Sequence, residues 1–333
     1  MPQVQGYLNS LSYGLNVRGL STEGEDAMPI NWQNISGLPL ATPESSPALT
    51  PDRRYGPKPG GALDRTPRGH QIQRPEAYRL FGEALRATGR NITYSICPLI
   101  AGCDASVWSY YKQYAHTSMN QCPQKDNTDT WESFLYHIDD NNRFPERAAI
   151  AGPGYWNDMD FLMVGYKELK KWEPRQSAAE YRSQFSLFAV LAAPLVFSAD
   201  IRGTAAFNKP TVNGTDKSED IRSILGNAGV IAVSQDALGK QGRLAHQYAS
   251  AEVELYVRQL EGGALALAVL NRGSGAATKL KVRWADAGVP AGKRVVAVRD
   301  LWASRALTPD ADGVVLDVAS HDTRMLHLEL AKA

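Results

Sequence analysis

Charge of one sign is what this sequence most lacks. Its 36 lysines and arginines are met by 35 aspartates and glutamates, a formal net charge of +1. So even a balance leaves no electrostatic footprint for nucleic acid or for an anionic membrane surface. No run of ~20 apolar residues occurs, so no membrane-spanning helix is expected. The first residues, MPQVQGYLNSLSYGLNV, carry neither the basic start nor the apolar stretch of a signal peptide. No GxGxxG or GxxxxGK(S/T) phosphate loop is present. Cysteine is scarce: Cys97, Cys103 and Cys122 are the only three. They allow one disulfide and one thiol, or three thiols, and leave the compartment open. His116 and His137 are too isolated to argue for a metal site. The acidic DNTD stretch (126–129) lacks the glycine and the later glutamate of a calcium loop. The sequons at Asn34, Asn91 and Asn213 are of a kind that arises often by chance.

What is present divides into three regions. Residues 1–74 hold nine of the 19 prolines and sustain no apolar period, so loop or disorder with no recognisable fold is expected there. From residue 75 the pattern changes. Pro75 opens a helix and Gly89 closes it. Strands are expected in NITYSIC, near AHTSMNQ, in AAIAG and in PLVFSAD. Helices are expected in TDTWESFLYHIDD, SAAEYRSQFSLFAVLAA and SEDIRSILGN. Strands alternating with helices imply parallel βα units, four of them between residues 90 and 240. From about residue 243 the period becomes two, as in Val253, Leu255 and Val257, then Leu265, Leu267 and Val269. Leu280, Val282 and Trp284 continue it, as do Leu326, Leu328 and Leu330. With the Gly262-Gly263 turn between the first two runs, this predicts a small antiparallel sandwich. The expected domains are therefore 1–74, 75–242 and 243–333.

In parallel βα folds, chemistry gathers at the carboxyl ends of strands. Acids recur at those places: Asp104 after the first strand, Lys125, Asp126 and Asp129 after the second, Trp156, Asn157, Asp158 and Asp160 after the third, and Asp200 with Arg202 after the fourth. Each has a plain structural reading. Asp126 and Asp129 suit a helix N-terminus. Asp158 and Asp160 suit a turn whose acids bond their own backbone. Trp156 suits a core, and Asp200 with Arg202 a surface pair. Paired carboxylates beside aromatics also fit glycosidic bond cleavage, in which one acid protonates the leaving oxygen and the other attacks the anomeric carbon or activates water.

The segments EALRATGRNITYSIC, KDNTDTW, AGPGYWNDMDFLMVG, FSLFAVLAAPLVFSADIR and ILGNAGVIAVSQDALGKQGR come in the order found in family 27 glycoside hydrolases. Residues 75–240 resemble the catalytic barrel of that family, the α-galactosidases and α-N-acetylgalactosaminidases. VRDLWASRAL and SHDTRMLHLEL are similar to its C-terminal β domain. The resemblance implies a (β/α)8 barrel, of which the C-terminal half is recognisable, plus an antiparallel β-sandwich. It implies hydrolysis of terminal α-linked galactose with retention of configuration, without cofactor or metal. Asp126, five residues before Trp131, matches the acid/base. Asp160 matches the sugar-binding acid, and Asp158 the more structural one. Trp156 and Lys125 are further substrate-binding candidates.

Two positions and one strand depart from the family pattern. Cys122 stands where the family usually has arginine, and Pro98 where α-galactosidases often have glutamate, so the preference between galactose and N-acetylgalactosamine is not legible in this sequence. The KYDxC nucleophile strand has no match. Asp64 is the nearest candidate nucleophile, without the lysine, aromatic, cysteine or preceding strand. The expectation is thus a chain lacking the N-terminal half of the barrel, with little hydrolysis of its own. A non-catalytic galactose-binding protein and a homodimer of complementing half-barrels are the alternatives. Secretion or a lysosomal or vacuolar location is what the family implies.

Overall fold

The computed structural model describes residues 74–97, 105–119, 125–165, 176–197, 218–248 and 252–333. The expectations for residues 1–73, Asp64 included, lie outside the described residues, as do those for Pro98, Cys103, Asp104, Cys122, Asp200 and Arg202. The chain forms two compact units, Met1–Gln124 and Lys125–Ala333.

In the first unit, helix α1 (Arg74–Ala87) is followed by strand β1 (Ser95–Ile96), helix α2 (Ala105–Tyr111) and strand β2 (Thr117–Ser118). Gly89 ends the α1 segment at φ 67°, a left-handed conformation that glycine adopts without steric cost. β1 and β2 pair in parallel, Ser95 opposite Thr117. The parallel pairing is the expected one, with strands of only two residues each, while the helix α2 between them was not among the expected helices. Tyr78 is buried on α1, donates its hydroxyl to the Cys97 carbonyl at 2.8 Å and meets Tyr111 edge-on at 5.6 Å. Cys97 is itself buried.

The second unit begins with helix α3 (Trp131–Arg143). Its cap is Thr130, whose hydroxyl accepts from Ser133 N at 3.2 Å. Helix α4 (Glu146–Ile150) follows. This corrects the strand expected in AAIAG. Pro145 and Glu146 are helix-start residues, and the apolar stretch behind them is too short for alternation to show. Strand β3 (Trp156–Asn157) comes next. Leu162 then makes a parallel bridge to Phe197, at the end of the described part of PLVFSAD, residues 194–197. Helix α5 (Ala178–Val190) opens on a full capping box between Ser177 and Glu180 and is buried almost throughout its length, as its all-round apolar sequence predicts. Helices α6 (Ser218–Leu225) and α7 (Ala228–Ser234) pack against it. Asn227 caps α7 by accepting from Val230 N at 3.0 Å.

The rest is antiparallel. Strands β4 (Arg243–Tyr248), β5 (Val253–Gln259), β6 (Leu265–Asn271), β8 (Lys293–Asp300), β9 (Arg305–Leu307) and β11 (Thr323–Lys332) form one sheet in the order β4-β5-β6-β11-β8-β9. Strands β7 (Ala277–Arg283) and β10 (Gly313–Val318) form a second, two-stranded sheet. The alternating residues Val253, Leu255, Val257, Leu265, Leu267, Val269, Leu326 and Leu328 share a core with Val282 and Val314 of the smaller sheet and with Trp284 just after β7. The opposite face of the large sheet is buried too. Tyr256, Ala266, Ala268, Leu270 and Met325 join Phe134, Ile138, Phe185 and Phe188 from the helices. The large sheet is therefore a middle layer, which is why β5 and β6 show almost no exposed alternation.

Polar links fasten this layer to the helices. Asp300 accepts from Trp302 N and Ala303 N at 3.0 Å each, and the turn so made directs Trp302 Nε1 onto Ser186 Oγ at 2.9 Å. Arg272 bridges Glu254 on the sheet and Asp139 on α3, at 2.8 and 2.7 Å. His321 stacks on Trp131 at 4.6 Å and meets Glu180 with its Nδ1 at 2.8 Å.

Candidate active site

The site is built from two loops of the second unit. One is the run Lys125–Thr130 ahead of α3, and the other is residues 156–162 around β3. Asp160 ties them together. Its Oδ2 accepts the backbone N–H of Asn127 at 2.7 Å, and its Oδ1 accepts its own neighbour's, Phe161 N, at 2.7 Å. Asp160 N donates in turn to Asp158 Oδ1 at 2.8 Å. Asp160 stands at φ 72°. Few residues other than glycine accept that region, and aspartate does so because its short side chain bonds locally. The turn reading of Asp158 and Asp160 therefore holds, and Asp160 also reaches across to the other loop.

Asn127 completes the junction. It is buried, donates its side-chain amide to the Phe161 carbonyl at 2.8 Å and accepts from Ser133 Oγ at 3.0 Å. Ser133 Oγ also accepts from Thr128 N at 2.9 Å. Four bonds thus fix the backbone on the C-terminal side of Asp126. Asn127 was not singled out from sequence. The one signal was a short amide between two acids just before a helix, a pattern common to many loops.

Asp126 is exposed to solvent beside this junction. The charge of Asp126 is felt at Asp160, whose carboxyl is held above its ordinary 3.8. Burial is the main cause, opposed by the bonds from Asn127 and Phe161, with repulsion from Asp126 adding to the rise. The two acids are therefore neighbours, one half-buried and bonded, the other open. Asp129 takes a different part. It is buried and accepts from Tyr181 Oη at 2.9 Å and from Gln176 Nε2 at 3.0 Å. Neither acid caps α3, since Thr130 does so. Tyr181 is driven well above its usual range by burial, with the Asp129 charge adding to it.

Trp156 is half-buried, with its ring edge over Gly239. Asn157 is buried and donates to the Arg147 carbonyl at 2.9 Å and to Gln241 Oε1 at 2.7 Å, so it anchors the loop from behind. Arg147 itself pairs with Asp140 at 2.7 Å, both fully enclosed. Lys125 is exposed and lies 5.0 Å from the Tyr136 ring centroid. Burial, helped by the Lys125 charge, depresses His137 to about 4, so that imidazole stays neutral at ordinary pH.

An exposed acid next to a bonded one, in a unit where helices pack on an antiparallel sandwich, fits the paired carboxylates of glycoside hydrolases. The comparisons with known proteins agree. The chain belongs to the alpha galactosidase A family, whose model matches residues 63–236, and the alpha galactosidase C-terminal beta sandwich domain matches residues 250–328. An alpha-galactosidase of Oryza sativa subsp. japonica is 32% identical over 250 residues, covering 75% of this chain and 52% of that protein. One of Coffea arabica is 33% identical over 256 residues, covering 77% and 59%. Among solved structures, alpha-galactosidase I from Mortierella vinacea has a TM-score of 0.59 at 22% identity, covering 76% of this chain and 62% of that one. A GH27 β-L-arabinopyranosidase from Geobacillus stearothermophilus has a TM-score of 0.62 at 21% identity, covering 77% and 54%. These two likenesses are of fold. The chain spans about half the length of the Oryza sativa relative it matches.

Proposed function

We propose that this chain recognises terminal α-linked galactose and serves its hydrolysis with retention of configuration. The observation that carries this is the junction of Asp126 and Asp160 through Asn127. Asp160 keeps lone pairs beyond the two bonds it accepts, and these would receive ring hydroxyls. Asp126, open to solvent, would give a proton to the leaving sugar oxygen and then take one from water. Trp156 would form an apolar wall over the sugar, with Lys125 at the rim and Asp158 holding the Asp160 turn. Asp129 is assigned to the frame that supports the loop. Asp64 is retained as the proposed nucleophile.

The domain boundaries 75–242 and 243–333 are part of this reading. So are a galactoside oligosaccharide or glycoconjugate as partner, a secreted or vacuolar location, a disulfide among Cys97, Cys103 and Cys122, and a homodimer as the assembled form. No cofactor enters the chemistry. The test is cleavage of p-nitrophenyl α-galactoside together with galactose binding, in the full chain and in Asp126→Asn. The reading expects the variant to keep galactose binding and lose cleavage. Measurable cleavage by the full chain that is equalled by the variant would remove Asp126 from its role.

A further inference from the structure

An open cavity of about 470 Å³ lies in the first unit, and its lining includes none of the acids of the candidate site. It is lined by the end of α1, the segment 89–94, and Tyr114 and His116. Tyr94 precedes β1, so the cavity opens at the N-terminal end of that strand. Chemistry in parallel βα folds sits at the other end.

The lining is rich in donors and holds no carboxylate. Glu83, the acid nearest along α1, is taken by Arg79 at 2.6 Å. Arg86 donates to the Gln113 carbonyl and lies over the Tyr114 ring, 5.7 Å from its centroid. Those contacts hold the guanidinium plane and use only a small part of its five donors. Arg90 makes no ion pair among the described residues, and its backbone N–H is taken by Thr88 Oγ1 at 3.2 Å. His116 Nδ1 accepts the Tyr94 backbone N–H at 3.0 Å. A nitrogen that accepts carries no proton, so Nε2 carries it and is a donor. The carbonyls at the end of α1 would repel an anion. They are already occupied, Leu85 O by Thr88 and Arg86 O by Gly89 N.

We propose that this cavity binds a small oxyanion, a phosphate group either free or carried on a hexose. Two guanidiniums four residues apart offer the forked donors that phosphate oxygens match, and the imidazole N–H adds a third direction. The volume is within the range of small-molecule sites. The site is independent of the galactoside reading.

The experiment is calorimetric titration of the full chain, at fixed ionic strength, with inorganic phosphate, galactose 6-phosphate and galactose. Phosphate binds one per chain, and affinity falls about tenfold or more in Arg90→Gln and in Arg86→Gln. Asp160→Asn leaves phosphate affinity unchanged, which separates this site from the galactoside site. Tighter binding of the sugar phosphate than of phosphate assigns the cavity to the sugar ester, and equal binding assigns it to the free ion. Arg90 is exposed, so its variant keeps the fold and decides the matter if Arg86→Gln does not fold. Absence of saturable phosphate binding, or affinity unchanged in Arg90→Gln, overturns the proposal.

Discussion

The backbone N–H of Asn127 lies 2.7 Å from Oδ2 of Asp160. This single bond places the residue next to Asp126 against the acid of another loop, 33 positions away in sequence. It joins the two acid-bearing loops, and the buried Asn127 side chain links the same two loops with a second bond at 2.8 Å. Behind them Asn157 is hydrogen-bonded to Gln241, and Asp129 to Tyr181 and Gln176.

Asn127→Ala removes the amide that links Phe161 and Ser133 while leaving the backbone bond to Asp160 in place. The loss of two buried hydrogen bonds costs about 1–3 kcal/mol. Urea unfolding measures that cost. On the proposed reading galactose affinity falls as well, because the side-chain bond to the Phe161 carbonyl, beside Asp160, is lost. Unchanged unfolding would show that the junction does not support the fold.

Asp160 gives stability a pH dependence of definite sign. Its carboxyl is held above the ordinary 3.8 when folded, chiefly by burial. The folded state therefore binds the proton more tightly than the unfolded chain does. Its contribution is greatest below the ordinary value and declines as pH rises through the raised one. Asp160→Asn, which tolerates the left-handed backbone, abolishes that decline. Urea midpoints of the two proteins, compared across the mildly acidic range, diverge in this sense. Parallel curves would contradict the assignment.

Tyr181→Phe leaves the buried Asp129 with one fewer charge-assisted bond. The expected loss is about 1.5–3 kcal/mol. Galactose affinity should stay near wild type, because Asp129 is placed in the frame. A variant that keeps its stability but loses galactose would move Asp129 into the binding site.

Arg147→Met removes the enclosed partner of Asp140 and leaves Arg143 at 3.9 Å as its remaining ion-pair contact, at a cost of about 3–5 kcal/mol. The double variant Asp140→Leu with Arg147→Met recovers much of it, because an apolar pair needs no counter-charge. Thermal unfolding of the two proteins reads the difference. Equal melting temperatures would mean that the pair is not isolated from water.

Gly242→Ala tests the join between α5 and the sheet. A Cβ there would sit 2.5 Å from the Val190 carbonyl oxygen and 2.9 Å from that of Val257. Backbone on both sides cannot yield cheaply, so a loss of about 1–3 kcal/mol is expected. Chemical denaturation checks it, and a neutral result would show that the join is loose.

Much of this was legible in residue patterns, for stated reasons. Pro75 and Gly89 bracket α1, and the apolar end of α5 announced its burial. Period two over Val253–Val257 and Leu265–Val269 marked strands. Only one face of those strands could be read that way. Ala266, Ala268 and Leu270 interrupt the alternation because helices cover the other face. AAIAG misled because five residues carry no resolvable period, and Glu146 at the helix start was the better guide. The acids Asp126 and Asp160 were legible as candidates through family resemblance. The bond that unites them was not, since it depends on a backbone amide, and a backbone amide is the same in every residue type except proline.

The most direct test of the account is galactose titration of the full chain and of Asp160→Ala, with folding checked by circular dichroism. The account predicts saturable binding by the first and a loss of at least about tenfold in the second, as expected when a charged hydrogen-bond acceptor is removed. Equal galactose affinity in two folded proteins would contradict it.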